Sequence, residues 1–149
     1  MDAVTRMGVI FLARRRLAAR NAKPFGITLK QLFLLRWVEG KGSLSPSEAA
    51  RLLFCDRPTA TVIVRNCEKR GWLTRRRSEA DGRSVLLELA EPGAAILARI
   101  DAAAVPGLAA GGSVGDPLDA LEPAERRAFE SSLKKVYRRA GELFRKGDE

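Results

Sequence analysis

The chain has 149 residues, 46% of them apolar and 30% charged, which suits one buried core and excludes wholesale disorder. It has no histidine and only two cysteines, Cys55 and Cys67, so a Ser-His-Asp relay, a disulfide scaffold and the common zinc clusters are excluded. A net charge of +9 favours an anionic partner. No apolar run approaches the roughly 20 residues of a membrane span. Arg14, Arg15 and Arg16 break the apolar stretch after Phe11-Leu12, so the opening residues do not read as a secretory leader. A cytoplasmic protein with no membrane contact, no cofactor and no metal is expected.

Residues 3–22 read as a helix with an apolar stripe of Val4, Met7, Ile10, Phe11 and Leu17, ended by Lys23-Pro24. Thr28, with Gln31 three residues on, opens a second helix over about 29–39, apolar on most faces. Gly40-Lys41-Gly42 closes it, and Ser43-Leu44 is a short extended bridge. Ser45, Pro46 and Glu48 form a strong helix start, with Ala49, Leu52 and Leu53 facing inward. Asp56 caps the next helix, which runs to about Arg70 and stops at Gly71. Its inner stripe is Ala60, Ile63, Val64 and Cys67. The other face carries Arg57, Pro58, Thr59, Thr61, Val62, Arg65 and Asn66.

Leu73 to Arg76 and Ser84 to Leu89 pair as strands around a turn with Asp81-Gly82. A helix over about 91–104 follows, then a breaker-rich connection over 105–121, then a long amphipathic helix from Pro123 to about Lys146. Its apolar face is Phe129, Leu133, Val136, Tyr137, Ala140, Leu143 and Phe144. The fold class is mainly α with a small β wing.

Charge is concentrated along this order. Residues 1–30 hold seven Lys/Arg against one acid, and residues 57–83 hold eight against three. Residues 84–149 hold nine against eleven. The segment from Ser45 to Leu89 is therefore a helix, a tight turn, a second helix and an arginine-studded hairpin, the arrangement that places one helix in a DNA major groove. Double-stranded DNA is the expected partner. The groove-facing candidates are Pro58, Thr59, Thr61, Val62 and Arg65, with Arg57, Arg75 and Arg77 as further DNA-binding candidates. Arg65 suits guanine O6 and N7, whereas Thr61 and Val62 suit thymine methyls. Backbone N–H groups beside Asp56 and Thr59 form a phosphate-binding helix terminus. On the hairpin, alternation sends Arg75 and Arg77 to one face and Arg76 to the other.

The order of elements, with Asp-Arg-Pro-Thr-Ala-Thr (56–61), Glu-Lys-Arg-Gly-Trp-Leu (68–73), Arg-Arg-Arg-Ser-Glu-Ala-Asp-Gly-Arg (75–83) and Leu-Ala-Glu-Pro-Gly (89–93), resembles the MarR family of bacterial transcription regulators. The resemblance implies a winged helix–turn–helix DNA-binding domain over 28–104, with a helical dimerisation region over 1–27 and 105–149. It implies a homodimer on a palindromic operator, a repressor more readily than an activator, released by a small aromatic effector or by oxidation. Arg83 matches the arginine of the family's Asp-x-Arg wing motif, which enters the minor groove. Asp81 is placed to brace the wing and orient that arginine. The chain departs from the family pattern at four places. Phe54 stands where a glycine is usual, Val62 where a basic residue is common and Ala90 where a capping threonine is usual. The 105–121 connection is also longer than usual.

Cys55 and Cys67 lie twelve positions apart, roughly 18 Å along a helix. A disulfide needs Cα atoms within about 7 Å, so the pair reads as core packing rather than a redox bridge. Phe11 and Trp37, with Trp72 and Tyr137, are candidates for an effector pocket or for the core. With no histidine, no phosphate-cradling glycine motif and no convincing paired-carboxylate motif, an enzyme is not expected. The alternative reading is a sequence-tolerant architectural nucleic-acid binder without an effector.

Overall fold

A computed structural model describes residues 1–78, 82, 84–108 and 116–146. The chain forms two compact units, 1–114 and 115–149. In the first, helix α1 (Ala3–Ala22) leads through a single 3₁₀ turn (Lys23–Phe25) to α2 (Leu29–Lys41), strand β1 (Ser43–Leu44), α3 (Pro46–Leu52) and α4 (Arg57–Lys69). Strands β2 (Leu73–Arg77) and β3 (Val85–Leu89) and helix α5 (Glu91–Ala102) complete it. The second unit is a 3₁₀ turn (Pro117–Ala120) followed by α6 (Pro123–Lys146).

Local chemistry sets the helix starts. Thr28 and Gln31 form a capping box on α2, and Ser45 and Glu48 form another on α3, where the Glu48 carboxylate accepts the Ser45 N–H at 2.8 Å. Asp56 caps α4 by accepting the Thr59 N–H at 2.7 Å. Helix α5 starts on Ala90, which has no side chain able to cap and makes no such bond. Proline follows it at the second helical position, where a missing N–H costs nothing.

The sheet is antiparallel in the order β1-β3-β2. The bridge at Ser43-Leu44 is thus a third strand, its two residues paired with Glu88 and Leu87 of β3. β2 pairs with β3 over its whole length, from Leu73 opposite Leu89 to Arg77 opposite Val85. The core gathers behind this sheet: Leu34, Leu35 and Val38 of α2, Leu44, Ala49, Val64, Cys67, Leu87, and Leu97 and Ile100 of α5. Arg36 adds a bidentate ion pair to Asp101, which ties α2 to α5 at the rim.

Two features depart from the periodicity. Helix α2 is not apolar-buried on most faces, because Phe33 and Trp37, one turn apart, stand 48% and 39% exposed. Every residue of α1 from Ala3 to Arg16 is exposed, and only Ala18 and Ala22 are buried. In the second unit Arg126 joins α6 to the preceding turn through Asp119 (3.4 Å) and Asp116 (3.7 Å).

Candidate nucleic-acid interface

Helix α4 displays its outer face because its inner one is fully used. Ala60, Val64 and Cys67 are buried against the core, with Ile63 partly so. That leaves Arg57, Pro58, Thr59, Thr61, Val62, Arg65, Asn66 and Lys69 exposed. The seven residues read from the sequence as the outer face all lie there.

The turn that launches α4 is unusual. Phe54 adopts φ +47°, the left-handed region where a side chain costs about 1–2 kcal/mol. Two bonds nevertheless close the α3 terminus around it, Phe54 N–H to Arg51 C=O at 3.2 Å and Cys55 N–H to Ala50 C=O at 3.3 Å. Phe54, 65% exposed, therefore does the work of the usual glycine.

Side chains on α4 are already committed in ways the sequence did not disclose. The Asp56 carboxylate occupies the helix N-terminus, and its pKa is lowered chiefly by the Thr59 backbone N–H. The phosphate position expected at that terminus is filled by this carboxylate. The Thr61 hydroxyl donates to the Arg57 carbonyl at 2.8 Å. Arg57, Arg65 and Lys69 make no ion pair among the described residues.

The wing arginines divide. Arg75 is held by Glu68 of α4, its Nη2 3.1 Å from Oε2, and this bond keeps the guanidinium firmly charged. Arg76 reaches across to Glu88 of β3, with Nε 2.8 Å from Oε1. Arg77 is exposed and makes no ion pair among the described residues. Arg83 and Asp81, the wing-tip residues named from sequence, lie outside the described residues. A cleft of about 270 Å³ where α3, α4 and β2 meet brings Arg57, Thr61 and Arg75 together, beside Pro46. The two aromatic residues named as effector contacts sit at the surface, Phe11 on α1 at 59% and Trp37 on α2. Trp72 belongs to the core instead, with the Arg70 guanidinium 4.8 Å above its ring. Among the described residues no cluster is suited to a metal ion, and no helix is long and apolar enough to cross a membrane.

Two helices joined by a tight turn, followed by a two-stranded ribbon against the second of them, define a winged helix–turn–helix protein. The model of the MarR family matches residues 25–84. Over 121 residues the chain is 32% identical to the organic hydroperoxide resistance transcriptional regulator of Bacillus subtilis, covering 77% of this chain and 81% of that protein. It is 45% identical over 51 residues to the transcriptional repressor MprA of Escherichia coli, 34% of this chain and 29% of that one. Among solved structures, a mutant MarR from E. coli complexed with operator DNA superposes with a TM-score of 0.67 at 25% identity, covering 89% of this chain and 91% of that one. The chain belongs to the MarR family. It is a transcriptional regulator of that family, not an enzyme.

Proposed function

We propose that this chain is a sequence-specific repressor that acts in the cytoplasm as a homodimer on a palindromic operator. The reading module spans 28–104, and 1–27 with 105–149 form the dimerisation region. The observation that carries the proposal is the outer face of α4, a continuous exposed stripe on which Arg57, Arg65 and Lys69 make no ion pair among the described residues. Similarity to a MarR complexed with operator DNA and to a repressor supports both halves of it. Pro58, Thr59, Thr61, Val62 and Arg65 would contact the major groove, and Arg57 the phosphate beside it. Arg77 and Arg83 would meet phosphate and the minor groove, with Asp81 bracing the wing tip. Arg75 would approach the duplex only as the Glu68 pair allows.

The homodimer rests on α1. Val4, Ile10, Phe11 and Leu12 are each at least half exposed in the single chain. A second copy covering them would remove that surface from water, at about 25 cal/mol per Å². On α6, Phe129, Leu133, Val136 and Tyr137 present a comparable face. A small aromatic effector, contacted by Phe11 and Trp37, would act by preferring one spacing of the two recognition helices.

Selecting bound duplexes from a random pool with the full chain tests this directly. A palindromic consensus with two chains per duplex is the expected result, and retention of all sequences alike would refute it. Arg65→Ala should relax preference at one position per half-site, whereas Arg83→Ala should weaken binding to many sequences about equally. Gel-shift titration across the selected pool separates the two patterns.

The name of the Bacillus relative raises hydroperoxide sensing, and the cysteines here argue against a thiol switch. Cys67 is wholly buried, and that burial pushes its thiol up to about 12. Less than about one part in 10⁴ is then thiolate at neutral pH, and the thiolate is the reactive form. Cys55 is half-buried against the core. Operator affinity should therefore stay constant after treatment with an organic hydroperoxide. A large loss reversed by dithiothreitol would show the assignment to be wrong.

A further inference from the structure

The stripe that α4 turns outward has a chemistry finer than a cationic helix. Pro58, Thr61, Val62, Arg65 and Lys69 stand at spacings of three, four, seven and eleven from Pro58, and all are exposed. Among the described residues its first two turns offer no free hydrogen-bond donor. Pro58 has no N–H and an apolar ring. Val62 is apolar and 54% exposed. Thr61 has given its one donor to the Arg57 carbonyl, so toward a base its side chain offers a methyl and an oxygen that can only accept. Arg65 is the first residue of the stripe whose donors are free among the described residues, and Lys69 follows one turn later.

We infer that the N-terminal half of α4 reads thymine C5-methyl groups by apolar contact, with base-edge hydrogen bonding left to Arg65. This rests on the DNA-binding reading above and names the target chemistry of that same site. In the major groove the thymine methyl is the one apolar group on a base edge, and guanine O6 and N7 match two donors of an arginine. A stripe that is apolar first and cationic next therefore matches neighbouring thymines with a guanine to one side. Pro58 to Arg65 spans roughly 10 Å along the axis, about three base steps of a strand. Cations at Arg57 and Lys69 flank the apolar stretch and hold the helix to the phosphates without reading sequence.

The experiment uses the full chain, a duplex enriched from a random pool, and the same duplex with deoxyuridine replacing thymine, which deletes only the methyl. Affinity should fall about fourfold for each contacted methyl removed. Thr61→Val, which keeps the shape and deletes the hydroxyl, should bind the thymine duplex within about twofold of the parent. Thr61→Ser, which keeps the hydroxyl and deletes the methyl, should lose about fourfold on the thymine duplex and little on the deoxyuridine one. An enriched site indifferent to deoxyuridine overturns the inference while leaving sequence-specific binding intact. So does a tenfold loss in Thr61→Val that melts like the parent, because the hydroxyl would then be reading a base. A pool with no enriched site sinks the DNA-reading function itself, and this inference with it. The deoxyuridine comparison needs no variant, so a misfolded mutant does not blunt the test.

Discussion

Gly93→Ala should destabilise the reading unit by about 3 kcal/mol, although alanine is the better helix former by about 1 kcal/mol. A Cβ at position 93 would stand 2.2 Å from the Trp72 carbonyl oxygen and 2.8 Å from a Leu89 methyl. The carbonyl cannot swing aside freely, because it accepts the Ala90 N–H at 3.0 Å. Nor can Trp72 retreat, since it is 7% exposed and belongs to the core. The first turn of α5 is thus jammed onto the root of β2, and the absent side chain is what lets them touch. Urea or thermal denaturation at fixed protein concentration measures the loss, with Gly40→Ala as the control. Nothing lies within 4 Å of a Cβ at Gly40, in helix α2, so that variant should gain up to about 1 kcal/mol. Parent-like stability in Gly93→Ala would mean that α5 sits elsewhere on the sheet.

What the sequence disclosed of this fold and what it hid follow one rule, that local bonds are legible and distant ones are not. The starts of α2, α3 and α4 are set by side chains within three residues of each other, and Thr28, Ser45 and Asp56 cap where their spacing predicts. Ser43-Leu44 was legible as an extended bridge, but not as a third strand, because two residues cannot show alternation. Its pairing is decided by Glu88 and Leu87, more than forty residues away. Phe54 was visible as the wrong residue for a tight turn, but the left-handed backbone it accepts, at φ +47°, was not.

The candidate site divides in the same way. The exposed stripe of α4 follows from its period. The Arg75–Glu68 pair depends on how the Gly71 turn folds β2 back against the helix, which no pattern in the chain announces. Exposure of Phe33 and Trp37 on α2 was equally hidden, whereas that of most of α1 accords with a helix expected to meet a second subunit. An apolar stripe announces that it will be covered, not whether its own chain or another one does so.

Affinity for operator DNA should fall about 10³- to 10⁴-fold between 50 and 200 mM salt, and the loss should be unevenly shared among the arginines. Four cations on the proposed face, Arg57, Arg65, Lys69 and Arg77, make no ion pair among the described residues. Two copies present eight of them, and if the two Arg65 side chains spend themselves on bases, six meet phosphate. Each phosphate neutralised contributes about −0.9 to the slope of log K against log salt, which gives the stated loss. Arg75 is different, because its charge is already paired with Glu68, so that its net release of counterions is small. Arg77→Gln should accordingly flatten the slope by about 1.8 for two copies, and Arg75→Gln by much less. Glu68→Gln should do the opposite, freeing Arg75 and steepening the slope. Filter-binding titrations over that salt range distinguish these outcomes. Equal flattening by Arg75→Gln and Arg77→Gln would mean that the Glu68 pair opens on the duplex and the wing moves relative to α4.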